Sequence, residues 1–402
     1  MRILQVTRET GADRRYGIGR SLEPVVRALR LQGHQVQYLT QDDQSTRSLQ
    51  FQREWTGRLA RWSRAVMGRD TAVLCAVWME RLNMGRLAAK VARHTRVDVV
   101  HFHDPLMAWG FQLARRCGYH GTARWGLSQH GFGSYSDAIG EEGVPYTRGL
   151  LRWQRSMEAR ILAAADFVIC PTNAGRRQLA RDLSMPGPSD HWYVVSHARP
   201  AIRLMCRQEA RQALGWDRTA TCVVAVGRLN PVKRLDRIVR ACVQTQRPLH
   251  LTILGEGDEA TVRRLHELIS GSAQLTLKVH PVDDVGPYLA AADLYVSAAL
   301  NESFGMANLE AVAMGLPAIC TAVGGVPEVV GACAQLIPGE DQGLERVLAK
   351  AICDLLDDEP RRTRMATEGR QWAQSIPEPQ AVGEQLIDIY SGRRSPTRTD
   401  DV

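Results

Sequence analysis

At 402 residues the chain exceeds one ordinary domain, and its length suggests two to three of them. A hydrophobic content of 44% supports sizeable cores, yet no run approaches the roughly 18 apolar residues of a membrane-spanning helix. The formal charge of +8 suits phosphorylated ligands or an anionic surface. With 6% aromatic residues and no nucleic-acid module signature, nucleic acid is not expected as a partner.

MRILQVTRET reads as a short buried strand over Ile3–Val6, without the apolar core and cleavage site of a secretory signal. The nine cysteines are scattered, odd in number and free of CxxC pairs. Reduced thiols acting as small hydrophobes, and a cytoplasmic location, are therefore expected. Gly17-Ile18-Gly19 precedes a helix expected over Ser21–Leu31. Leu22 stands where a dinucleotide fingerprint needs its third glycine, which rejects that reading and leaves a glycine turn facing a ligand cleft.

After a strand over Val36–Leu39, the segment Arg53–Arg69 places Trp55, Leu59, Trp62 and Val66 on one helical face, with arginines around the rest. Such a helix suits an anionic membrane interface, or it covers the first sheet from outside. Further strands are expected at Val97–Phe102, Leu127–Gln129, Phe167–Cys170 and Trp192–Val195, alternating with helical stretches. His101, His103, Asp104 and His130 fall at strand ends, where a histidine can bond sugar hydroxyls, move a proton or simply pack. No DxD pair or ligand spacing is visible, so no metal is expected.

Ser196–Asp217 is irregular and then polar-helical, and reads as a hinge. The strand–helix pattern restarts at Cys222–Val226 and continues through Leu249–Leu254, Leu275–Val279, Leu294–Val296, Ala318–Cys320 and Ala334–Leu336. This predicts an α/β chain of two doubly wound domains facing across a cleft, with ligands outside the C-terminal strand ends. The boundaries are 1–198 and 199–376, a helix near 377–392 and a disordered tail over 393–402.

The strand ends of the second half carry the chemistry. Gly227-Arg228-Leu229-Asn230-Pro231-Val232-Lys233 presents two cations able to grip a diphosphate. Gly255-Glu256-Gly257 permits close backbone approach to a base or ribose. In NESFGMANLEAVAMG, 301–315, Phe304, Gly305 and Met306 lie at a helix N-terminus, which attracts phosphate. Glu302 and Glu310 flank that anion pocket, as a nucleotide sugar requires.

VGRLNPVKRLD, GEG, the stretch from 291 to 319 and VGGVPEVV together resemble the retaining glycosyltransferases of family 4, which have the GT-B fold. GIGRSLEPVVRALRLQGHQV, DVVHFHDP, QHGF and ADFVICPT resemble the first half of that family more loosely. The resemblance implies that Arg228 and Lys233 bind the donor diphosphate and that Ser303–Met306 contact phosphate and sugar through their backbone. It also implies that Glu302 holds donor-sugar hydroxyls and Glu310 the ribose, with Glu256 near the nucleotide. His130 would lie near the donor sugar, Gly17 in a loop facing the diphosphate, and Trp372–Tyr390 would cross back onto the first domain. The chain departs from the family at Tyr16-Gly17, His197-Ala198, Arg234 and His280-Pro281.

The expected activity is hexose transfer from a UDP-sugar or GDP-mannose, without metal, to a saccharide or lipid-linked saccharide in polysaccharide or lipopolysaccharide assembly. A catalytically silent carbohydrate- or membrane-binding scaffold, or a nucleotide-sugar epimerase, is the competing reading.

Overall fold

The computed structural model describes residues 1–9, 17–67, 71–119, 121–141, 147–340 and 342–393. Two compact units form: Met1–Ala198 together with the chain from Pro377, and Arg199–Ile376.

The first unit begins with β1 (Arg2–Val6), α1 (Gly17–Leu31) and β2 (Gln35–Leu39), followed by the long helices α2 (Thr46–Met67) and α3 (Thr71–Thr95). Next come β3 (Val99–Phe102), α4 (Pro105–Arg116), β4 (Arg124–Ser128), α5 (Tyr135–Glu141) and α6 (Arg148–Ala164). β5 (Phe167–Cys170), α7 (Asn173–Asp182) and β6 (Trp192–Val194) complete the sheet. All its pairings are parallel, in the order β2-β1-β3-β4-β5-β6. VVHF and FVIC are buried at every position, as strands covered on both faces must be.

The second unit runs α8 (Arg207–Leu214), β7 (Cys222–Val226), α9 (Leu235–Gln244), β8 (Leu249–Leu254), α10 (Glu259–Glu267) and β9 (Leu275–His280). It continues with α11 (Gly286–Ala291), β10 (Leu294–Ser297), α12 (Met306–Met314), β11 (Ala318–Thr321) and α13 (Val326–Val330). β12 (Gln335–Ile337), α14 (Leu344–Asp357) and α15 (Glu359–Ser375) end it. Its parallel sheet has the order β12-β11-β10-β7-β8-β9, so the winding reverses between β7 and β10. In the first sheet the reversal lies between β1 and β3. Those reversals are the places where doubly wound sheets hold ligands.

The last helix, α16 (Pro379–Tyr390), packs on the first unit. Val382, Leu386, Ile389 and Tyr390 join a core with Ile3, Val25, Val26 and Leu29, and Gly383 lies against Leu29. Arg124 Nη1 donates to the Tyr390 carbonyl at 3.1 Å. Trp372 does not cross with it: it lies in α15, its Nε1 donating to the Val329 carbonyl at 2.7 Å.

Two further expectations need correction. The first helix starts at Gly17, four residues early, so Gly17 and Gly19 occupy its first turn and not a preceding loop. The Gly19 N–H donates to the Glu9 carboxylate at 2.9 Å, an acidic acceptor suited to the N-terminal turn. β4 spans Arg124–Ser128 instead of Leu127–Gln129. Gly126 interrupts the apolar pattern because β5 passes so close that a Cβ there would lie 2.3 Å from the Phe167 carbonyl oxygen.

α2 packs along α3 and leaves Arg53, Trp55, Arg58 and Arg61 exposed, with the Arg58 guanidinium 5.5 Å from the Trp55 ring centroid. The side chains of Leu59, Trp62, Arg64 and Val66, and all of Tyr16, Arg69 and 394–402, lie outside the described residues. Among the described residues no helix is long and apolar enough to cross a membrane.

Candidate active site

In the second unit, four loops at the C-terminal strand ends are tied together. The Leu229 N–H donates to the Glu256 carbonyl at 2.7 Å, and Leu300 to Val232 at 2.8 Å. The Gly325 N–H donates to the Glu302 carbonyl at 3.0 Å, and Thr321 Oγ1 to the Ala299 carbonyl at 2.7 Å.

Lys233 follows β7 and Glu302 follows β10, so they approach from the two sides of the reversal. The Lys233 ammonium lies 2.5 Å from the Glu302 carboxylate, with both side chains partly exposed, at 26% and 19%. The pair leaves a cation and an acid side by side at the strand ends. Arg228 is exposed, and no ion pair forms to it among the described residues.

Gly227 leaves room for Lys233, whose stem would lie 3.2 Å from a Cβ there. Arg234 takes the left-handed conformation (φ 46°, ψ 42°) and donates to the Gly339 carbonyl at 2.9 Å. Left-handed backbone costs a side-chain-bearing residue about 1–2 kcal/mol, whereas a hydrogen bond from a charged group contributes about 1.5–3 kcal/mol. Arg234→Gly loses the bond but also the strain, while Arg234→Ala loses only the bond. Urea unfolding should therefore rank glycine above alanine by about 1 kcal/mol, the reverse of their usual order. An alanine variant as stable as the glycine one would refute this account of Arg234.

The GEG loop is read differently once its neighbours are known. A Cβ on Gly255 would lie 1.9 Å from the Gly227 carbonyl oxygen, and one on Gly257 would lie 2.3 Å from Leu229 Cβ. Both glycines are required by the loop after β7, whose backbone takes the close approach expected of a base or ribose. Glu256 between them is exposed.

Gly305 precedes α12 in left-handed conformation (φ 85°, ψ 57°), and a Cβ there would stand 2.8 Å from Asn308 Nδ2. Ser303 and Phe304 are buried, the ring within the core, so this turn offers ligands backbone more than side chain. Asn308, which sequence reasoning missed, is 2% exposed. Its Oδ1 accepts from the Tyr295 hydroxyl at 2.9 Å, and its Nδ2 has no partner among the described residues. Glu310 is also buried, on the inner face of α12. Burial pushes the Tyr295 hydroxyl well above its ordinary pKa, with Cys320, Glu302 and Glu310 adding to the effect.

In the first unit, Gln5 of β1 pairs in register with His101 of β3, at that sheet's reversal. His101 Nδ1 lies 2.7 Å from the Tyr390 hydroxyl, and its Nε2 lies 2.8 Å from Ser128 Oγ. His103 Nε2 lies 2.9 Å from Gln5 Oε1 and its Nδ1 lies 2.7 Å from His130 Nε2. His130 stacks on His197, with ring centroids 5.9 Å apart. Burial lowers all four histidines, His101 to about 3 and His197 to about 4, so they are neutral near pH 7.

Asp104, grouped with the histidines in sequence, has a structural task. It caps α4 by accepting from the Leu106 N–H at 2.8 Å, and it meets the buried Arg81 at 3.3 Å. Gln5 and Tyr390 escaped notice because no local pattern joins residues 385 positions apart. The sole hint was His-x-His in a strand, which puts both rings on one face.

A model of the glycosyl transferases group 1 matches residues 207–372, and a model of glycosyltransferase family 4 matches residues 16–197. The chain is 29% identical over 335 residues to a D-inositol 3-phosphate glycosyltransferase of Kineococcus radiotolerans, covering 74% of this chain and 73% of the relative. It is 30% identical over 305 residues to a GDP-mannose-dependent alpha-(1-6)-phosphatidylinositol monomannoside mannosyltransferase of Mycolicibacterium smegmatis, covering 70% and 73%. Sucrose-phosphate synthase from Thermosynechococcus elongatus superposes with a TM-score of 0.75 at 19% identity, over 97% of this chain and 98% of that one. Anabaena HepE in complex with UDP-glucose gives 0.66 at 16% identity, over 98% and 100%. The fold shared with these solved structures is GT-B. The chain belongs to the family 4, group 1 glycosyltransferases.

Proposed function

We propose that this glycosyltransferase moves a hexose from a UDP- or GDP-linked donor to an acceptor hydroxyl with retained anomeric configuration. The observation that carries this is the Lys233–Glu302 pair at the sheet reversal, beside the left-handed turn at Gly305. Lys233, Arg228 and the backbone of Ser303–Met306 would hold the diphosphate, joined by Asn308 Nδ2, which has no partner among the described residues. Glu302 would pass from the lysine to the donor-sugar hydroxyls, while Glu256 and Glu310 serve the nucleoside side.

Negative charge grows on the diphosphate as the glycosidic bond breaks. Two cations and a helix N-terminus supply the compensation that a metal gives in other enzymes, so the reaction is read as metal-independent. Attack by the acceptor hydroxyl from the same face, with the leaving phosphate taking its proton, needs no protein nucleophile. His130 would bond a substrate hydroxyl.

For the acceptor, the names of the relatives favour a phosphorylated or lipid-linked polyol, inositol phosphate being the simplest case. The exposed Arg53, Trp55, Arg58 and Arg61 of α2 support a peripheral position at an anionic membrane surface. The test is a thermal shift of the purified chain with UDP, GDP, ADP and CMP, followed by turnover of the matching sugar donor with inositol 3-phosphate. One diphosphate at a hundred times its Kd should add about 2.7 kcal/mol of stability. No shift with any nucleotide would overturn the donor site and favour a silent scaffold.

A further inference from the structure

Proton directions in the first unit follow from the hydrogen-bonding capacity of each group. Gln5 Oε1 can only accept, so the proton between it and His103 resides on His103 Nε2. A neutral imidazole carries one N–H, so His103 Nδ1 accepts and the next proton belongs to His130 Nε2. His130 Nδ1 is then a bare acceptor. On the other branch Gln5 Nε2 donates to the Tyr390 hydroxyl at 3.3 Å, which leaves that hydroxyl free to donate to His101 Nδ1. His101 Nε2 in turn donates to Ser128 Oγ.

Every link depends on the orientation of one buried amide. Turning the Gln5 side chain over would reverse each proton and make His130 Nδ1 a donor. Tyr390 is fully buried at the end of α16, so the docking of that helix supplies the amide's second hydrogen-bond partner. A cavity of about 40 Å³, touched by His101, Ser128, His130, His197 and by Val382 and Leu386 of α16, lies alongside and has room for about two or three waters.

We propose that Gln5, His103 and Tyr390 form a positioning relay that fixes the His130 tautomer, presenting Nδ1 as an acceptor for a substrate hydroxyl. The relay rests on the proposed contact of His130 with a substrate hydroxyl, and its experiment separates the two. In ¹⁵N-histidine NMR of the intact wild-type chain, His130 should show a single tautomer with Nε2 protonated. Tyr390→Phe removes the anchor of the amide and should give a mixture of His130 tautomers. Its kcat should fall by about 10-fold or more, the scale on which partners that orient a functional histidine act, with donor KM little changed. Gln5→Glu keeps an acceptor toward His103 and should keep the wild-type tautomer. A protonated Nδ1 in the wild type, or unchanged His130 signals in a folded Tyr390→Phe, would overturn the relay. Full turnover by His130→Ala would instead overturn the contact with substrate, whatever the NMR shows.

Discussion

Replacing Lys233 with alanine is expected to lower kcat by a factor on the order of 100 to 1,000 while leaving the fold intact. A preorganised charge aimed at a developing anion contributes about 3 kcal/mol to the transition state, and Lys233 is the cation that meets Glu302 at the sheet reversal. Its removal also frees Glu302, whose carboxylate is the lysine's partner at 2.5 Å. A partly exposed pair of this kind contributes only about 1 kcal/mol or less to stability, so the melting temperature should barely move.

That separation makes the measurement decisive. If Lys233 only held a loop, stability and activity would fall together. If it stabilises the leaving diphosphate, activity falls alone, and the stabilisation given by a nucleoside diphosphate shrinks with it. Lys233→Arg keeps the charge but replaces a compact ammonium with a planar, delocalised fork, so it should restore only part of the rate. Near-normal turnover in Lys233→Ala would remove the residue from the mechanism.

The sequence was most legible where burial alone decides structure. The apolar runs of the second sheet, Cys222–Val226 and Leu249–Leu254, stand where expected, because strands covered on both faces are apolar at most positions, His250 and Thr252 being the polar residues of the second run. The Asn301–Gly315 turn was legible for a related reason: a glycine between a strand and a helix, at φ 85°, leaves few alternatives. Tertiary approach was not legible. Gly255 and Gly257 admit the neighbouring loop, Gly126 admits β5, and a sequence shows the glycine without its partner. Likewise His101 and His103 stood out as polar residues at a strand end, while Gln5 and Tyr390, which complete their bonding, looked like ordinary strand and helix residues.

Acidification should weaken the first unit before the second. Burial lowers His101, His103, His130 and His197 below their unfolded value of about 6.5, so the folded state keeps them neutral. For groups depressed in this way stability is full above the unfolded pKa, and it declines as pH falls from there toward the folded values, about 3 for His101 and about 4 for His197. Glu158 acts in the opposite sense. Burial raises it to about 7 although Ser136 and the Tyr135 and Ser136 N–H groups donate to it, so its protonation stabilises the fold between about pH 7 and 4.5. Four histidines outweigh one carboxyl, so the net change between pH 6.5 and 5.5 is a loss of stability. Hydrogen exchange, corrected for the intrinsic pH dependence of amide exchange, should show protection falling in β1 and β3 over that range while β7 and β8 hold theirs. His197→Gln removes one titrating ring and should make the decline shallower. Equal protection of both sheets at pH 7.5 and 5.5 would mean that the histidines accept protons without opening the fold, and the neutral relay through His103 to His130 would lose its physical basis.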